Sequence, residues 1–190
     1  TSYANGWLLV DTTVTNVYSP VMHRRYAEDL CVDSHGVVCW ESADKLFQVD
    51  PETGETVADL LSLSTVQLLA RTSGSDPNFP ASDPYTYAAV PEGWSEVTRD
   101  EYSAVWVRDE PVASAGGIVA SSPGLSVSVK SESKTSVTFT VDEVPDAGGE
   151  VVLSRLDWPG YEITNGTLAE STRGYLITVE IPASAAGQEV

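Results

Sequence analysis

Positive charge is scarce in this chain. Ten Lys and Arg stand against 28 Asp and Glu over 190 residues, a formal charge of -18. A nucleic-acid partner requires a basic face to neutralise phosphates, and this shortage excludes one. It equally excludes adsorption to anionic lipid headgroups. No run approaches the roughly 18 apolar residues that a membrane-spanning helix needs. The first residues carry neither a basic n-region nor an apolar h-region, so no signal peptide is expected. There is no G-x-S-x-G elbow and no phosphate-cradling glycine pattern, so neither a nucleophilic hydrolase nor a nucleotide cofactor is indicated. Sulfur is also sparse, with two Cys and one Met.

What the chain does have is alternation. Leu125, Val127 and Val129 alternate with Ser126, Ser128 and Lys130, and Val137, Phe139 and Val141 alternate with Ser136, Thr138 and Thr140. Tyr175, Ile177, Val179 and Ile181 alternate with Leu176, Thr178 and Glu180. Period-two alternation marks half-buried antiparallel strands. Pro123-Gly124, Gly148-Gly149 and Asn165-Gly166 separate these runs as turns. Shorter strands are expected at 105–107, 117–120 and 151–153. The chain therefore reads as mainly β, with a C-terminal antiparallel β-sandwich of jelly-roll type over residues 101–190.

Residues 1–100 read as a smaller mixed α/β part. Strands are expected at 8–10 and 14–18. Ser19-Pro20 offers an N-cap and first-turn proline for a helix that carries Val21, Met22, Tyr26 and Leu30 on one face. A second helix starts at Ser42. Asp50-Pro51-Glu52-Thr53-Gly54 reads as a turn, Val57, Leu60 and Leu61 as a helical turn, and 65–69 as a buried strand. The segment 73–84 holds Pro77, Pro80 and Pro84 and reads as an exposed loop.

The residues that bear chemistry are few. Cys31 and Cys39 flank Asp33-Ser34-His35-Gly36, and a hairpin there brings the thiols into disulfide range. Closing that loop stabilises by roughly 2–3 kcal/mol and implies an oxidising compartment. Two free buried thiols are the alternative. His23, Cys31, His35 and Cys39 also permit a metal reading, but the close cysteine knuckle of a structural zinc site is missing, so no metal is expected. The acidic run 50–59 lacks the residue order of a calcium loop. No catalytic residue is assigned. Trp158, Tyr161, Trp94 and Trp106 are candidate stacking residues for a sugar ring, against the alternative that each anchors a core.

Val152-Leu153-Ser154-Arg155-Leu156-Asp157-Trp158-Pro159-Gly160-Tyr161, then Asn165-Gly166, Gly174-Tyr175-Leu176 and Ile181-Pro182-Ala183, form a succession of short motifs. It resembles the extracytoplasmic C-terminal region of YfhO-type polytopic membrane proteins. In those a strand ends in a W/Y-P-G-W/Y turn and a later strand closes on a "(V/I)PAG" signature. The segment 58–69 resembles that family's "D-L-L-x-V-x-Y-V" stretch, and Asn16-Val17-Tyr18-Ser19-Pro20 its "Y-S-P"-like stretch. The low-lysine, Ala- and Val-rich style suggests an actinobacterial source.

The resemblance implies a parent protein with many membrane helices, similar to GT-C-type glycosyltransferases of the cell envelope. It implies that this chain is the extracytoplasmic domain, on the outer face of the membrane, without catalytic acids and without a cofactor. Its partners would be its own transmembrane region and a cell-envelope glycan. A structural or protein-interaction β-sandwich without a ligand is the second expectation. An autonomous glycan hydrolase is the third and needs two carboxylates about 5–9 Å apart in a cleft.

Overall fold

A computed structural model describes residues 22–32, 42–69, 89–99, 103–110, 112 and 116–190. The described chain is mainly β, with antiparallel sheets and few helices. Its elements are α1 (Arg24–Leu30), α2 (Ser42–Leu46), α3 (Val57–Leu60), β1 (Thr65–Leu69), β2 (Trp94–Arg99), β3 (Ser103–Arg108), β4 (Ile118–Ser121), β5 (Ser126–Glu132), β6 (Val137–Glu143), β7 (Gly149–Leu156), β8 (Thr167–Leu168) and β9 (Leu176–Ile181). No helix among the described residues is long and apolar enough to cross a membrane.

The chain divides into two compact units: Thr1–Ser62 with Ala113–Val190, and Leu63–Val112. Composition changes near residue 100, whereas compactness isolates the middle of the chain and joins its two outer parts. The reason is pairing. β2 and β3 lie on either side of residue 100 and belong to one antiparallel sheet.

In the larger unit a four-stranded sheet, ordered β4-β7-β9-β8, forms the central layer. The β5–β6 hairpin covers one face. There Leu125, Phe139 and Val141 meet Val151 and Leu153 of β7 and Ile177, Val179 and Ile181 of β9. This is the sandwich that the alternation predicted. The opposite face carries helices instead. Tyr26 and Leu30 of α1 and Val57 and Leu60 of α3 pack with Val152, Tyr175 and Leu176. β9 is therefore covered on both sides, and Leu176 and Thr178, expected to face solvent, are buried. A strand covered on both faces needs no polar alternation. Thr178 tolerates its position because its hydroxyl lies 2.8 Å from that of Thr172 and accepts the Thr172 N–H at 3.0 Å.

The small layer gains a third strand-like segment. Val141 N–H donates to Gln188 O at 3.0 Å and Val190 N–H to Phe139 O at 2.8 Å, so residues 187–190 run along β6. At the β6–β7 turn Gly148 has φ +80°, and a Cβ there would lie 2.7 Å from the Ile181 carbonyl oxygen. Gly148→Ala is expected to cost about 2 kcal/mol, combining the left-handed penalty with that collision. Urea denaturation measures it.

α1 begins later than the sequence suggested. His23 is its N-cap residue, its side chain makes no capping bond, and Met22 precedes the helix. The imidazole is turned toward aromatic rings instead, with Trp158 at 5.3 Å between centroids. α3 has the local chemistry that starts a short helix. The Thr56 side chain accepts from Asp59 N–H, and the Asp59 carboxylate accepts from Thr56 N–H, closing a capping box. The strands expected at 8–10 and 14–18, the Ser19-Pro20 cap, the hairpin around His35 and the loop 73–84 lie outside the described residues.

The smaller unit is a three-stranded antiparallel sheet ordered β1-β3-β2. Among the described residues, Val66, Trp94, Ala104 and Trp106 are buried in it. Trp106 stands opposite Val66 on one side and Glu96 on the other. β2 carries no apolar alternation beyond Trp94, and its pairing with β3 decides it.

Candidate functional site

The site grows from the turn at residues 50–54. Asp50 Oδ1 accepts from Glu52 N–H at 3.0 Å and from Thr53 N–H at 3.0 Å, the Asx arrangement expected of this sequence. That leaves Oδ2 to point inward, where Arg173 Nη1 donates to it at 3.0 Å. The same guanidinium grips Asp29 of α1 as a fork, Nε to Oδ2 and Nη2 to Oδ1, both at 2.7 Å. The Tyr175 hydroxyl donates to Asp29 Oδ2 at 2.7 Å. One arginine thus ties α1 and the 50–54 turn to the entry of β9.

The electrostatics follow from this geometry. Burial acts to raise Asp29, but the bonds from Arg173 and Tyr175 outweigh it and hold the carboxyl below the usual aspartate range. Burial likewise opposes ionisation of Asp50, and the Thr53 N–H with Arg173 brings it below the ordinary value. The bond to Asp29 raises Arg173 and keeps it charged. Burial first, then the neighbouring Asp29 carboxylate, pushes the Tyr175 phenol up, so it remains a neutral donor. The cluster is closed. Its charges are spent on one another, and none is presented as an acid, base or nucleophile.

An aromatic group flanks it. Tyr26 meets Tyr175 edge-on at 5.5 Å, and His23 lies 6.4 Å from Tyr175 between ring centroids. Trp158 stands edge-on to His23 and remains 39% exposed. Its loop is pinned from below. Asp157 N–H donates to Tyr175 O at 2.7 Å, and the Asp157 carboxylate accepts from the Ser171 hydroxyl.

The four candidate stacking residues have different fates. Trp158 is exposed. Tyr161 is half-buried and packs against the sandwich core. Trp94 is buried, with the Arg108 guanidinium 4.6 Å from its ring centroid. Trp106 is 1% exposed, and its Nε1–H donates to Glu96 at 3.1 Å. Trp94 and Trp106 are anchors of the smaller unit's sheet, because the face of β3 that carries Trp106 is the buried one.

Cys31 is disulfide-bonded, and the described residues include no free cysteine. It occupies the left-handed position that ends α1, with φ 54°. Cys39 and His35 lie outside the described residues. Among the described residues no group of three or more His, Cys, Asp or Glu is placed to hold a metal.

Arg173, Asp29 and Tyr175 escaped the sequence reading because Arg173 and Asp29 are 144 positions apart. The one local signal was the Asp50 turn, whose geometry frees a carboxylate oxygen.

Fold and site together define a mainly β chain whose larger unit layers a hairpin, a sheet and helices, with an ion-paired frame beneath one exposed indole. No family model, curated protein or solved structure matches the chain.

Proposed function

We propose that this chain is a non-catalytic extracytoplasmic module of an envelope glycosyltransferase-like membrane protein, and that it positions a glycan acceptor at the Trp158 face. The observation that carries this reading is the pairing of an exposed Trp158 with the closed charge cluster beneath it. An exposed indole on a pinned loop is a recognition surface for the apolar face of a sugar ring. A frame whose acids and bases satisfy one another supports rigidity and offers no reactive group. The disulfide at Cys31 supports an oxidising compartment, with Cys39 as its partner and with membrane helices of the parent protein as anchor.

A glycan array probed with the chain and with Trp158→Ala tests the binding. Signal on pyranose glycans that disappears in the variant is expected. Uniform silence of the parent chain removes the glycan from the proposal and leaves a structural or protein-interaction ectodomain, the reading that buried Trp94 and Trp106 favour.

A further inference from the structure

We infer that Asn165 is a modification site: its carboxamide is lost by ring closure onto the Gly166 nitrogen, and the resulting carboxylate releases residues 187–190 from the edge of β6.

Asparagine serves the turn before β8. Asn165 has φ 57°, a left-handed conformation that asparagine tolerates better than most residues. The next position must be small. A Cβ on Gly166 would lie 3.0 Å from the Glu180 carbonyl oxygen and 3.0 Å from Val179 Cγ1. The fold thus favours Asn followed by Gly here, the pair in which ring closure meets no hindering side chain. Asn165 is exposed, and the Gly166 N–H makes no hydrogen bond among the described residues. The attacking nitrogen is therefore not held in a ladder. The other Asn-Gly pair, Asn5-Gly6, lies outside the described residues.

The chemistry needs only water as co-reactant. The Gly166 nitrogen loses its proton and bonds to Asn165 Cγ. The Cγ–Nδ2 bond breaks, and Nδ2 takes up the proton and leaves as ammonia. Water then opens the cyclic imide at either carbonyl, giving aspartate or isoaspartate. Nothing is oxidised or reduced.

The carboxamide that is lost has a structural task. Asn165 Nδ2 donates to Glu189 O at 2.8 Å. Glu189 belongs to the segment that runs along β6, where Gly187 N–H donates to Val141 O at 2.8 Å and Phe139 N–H to Val190 O at 3.0 Å. Asn165 therefore fastens that segment to the turn before β8. A carboxylate has no proton to donate and would face the Glu189 carbonyl as acceptor against acceptor. The bond is lost and a repulsion replaces it. Residues 187–190 then leave β6 more often, and the outer edge of β6 opens.

Warm incubation of the chain at mildly alkaline pH, followed by tryptic digestion and mass spectrometry, tests the site. The peptide 156–173 carries Asn165 as its one amide side chain. A gain of about 1 Da is expected, with a split into two species of which one is a substrate for an isoaspartyl methyltransferase. The same peptide made synthetically sets the unhindered rate. No gain in the folded chain after the synthetic peptide has converted overturns the site. Amide exchange at Phe139, Val141 and Val190 reads the release. It is expected to quicken about tenfold in Asn165→Asp, the worth of one hydrogen bond, while β7 and β9 keep their protection. Asn165→Gly keeps the left-handed turn and removes the amide without adding charge, and is expected to fall between. Unchanged exchange in Asn165→Asp overturns the release. Equal quickening in β7 and β9 overturns it as well, since that reports a loss of global stability.

Discussion

Arg173→Ala is expected to destabilise the protein by about 3 kcal/mol at pH 7, because it strands two carboxylates that the fold has withdrawn from water. Asp50 keeps only 5% of its side chain exposed and Asp29 25%. With Arg173 gone, Asp50 retains its turn donors, and Asp29 retains the Tyr175 hydroxyl and the more distant charge of Lys45, but neither retains a cation in hydrogen-bond contact. For a chain of this size the loss corresponds to about 6–12 °C in Tm. Arg173 has φ 54°, and alanine bears the same left-handed strain, so the difference reports the side chain alone.

The effect depends on pH with a definite sign. Asp29 and Asp50 have folded-state values below their unfolded ones. Their contribution is therefore complete above the unfolded aspartate value of about 3.9 and is lost as pH falls through the lower folded values. The stability gap between the parent chain and Arg173→Ala is expected to narrow steadily below about pH 4, as protonation removes the charges that the arginine served. Thermal melts of both proteins from neutral to acid pH measure it. A gap of constant size would mean that Arg173 acts by packing and not by charge.

Arg155→Ala should cost about 3 kcal/mol by a different route, since no carboxylate is involved. Arg155 is 9% exposed. Nε donates to Gly116 O at 2.6 Å, Nη1 to Lys134 O at 3.0 Å, and Nη2 to Ser133 O and to Ser136 O, the last at 3.3 Å. One side chain of β7 thus binds the tip of the β5–β6 hairpin and the approach to β4. Gly116 makes the close approach feasible, since a Cβ there would lie 3.2 Å from the guanidinium. Hydrogen bonds from a charged donor contribute more than neutral ones, and their removal releases the 133–136 tip of the hairpin from β7. Amide exchange should quicken across β5 and β6 while α1 and α3 keep their protection. Arg155→Lys is expected to recover little, because a single ammonium does not reach carbonyls on both sides. Uniformly faster exchange would instead place Arg155 in the global core.

Much of the secondary structure was legible because its signals are local. β5 and β6 show plain alternation; on β6 it places Phe139 and Val141 in the core, whereas β5 buries only part of Val127 and leaves Val129 exposed. α3 carries its capping box within four residues, Thr56 to Asp59. β2 was not legible, because outside Trp94 its side chains are exposed and only the pairing with β3 makes it a strand. β9 was read as half-buried because Thr178 and Glu180 looked like a polar face. Thr178 is buried and bonded to Thr172, and no local pattern announces that contact. Among the aromatic residues, Trp94, Trp106 and Trp158 look alike in sequence, and only their environments separate anchor from exposed ring.

The sequence by itself determined the sign and scale of the charge, the β character, the turns and the short helices, because these depend on composition and on neighbours a few residues apart. The tertiary structure alone decided that Arg173 joins Asp29 and Asp50, that Arg155 clamps a hairpin, and that Trp158 stays in contact with solvent. Those outcomes depend on which distant segments share space, and on the cost of burying a charge unless a partner from elsewhere in the chain meets it.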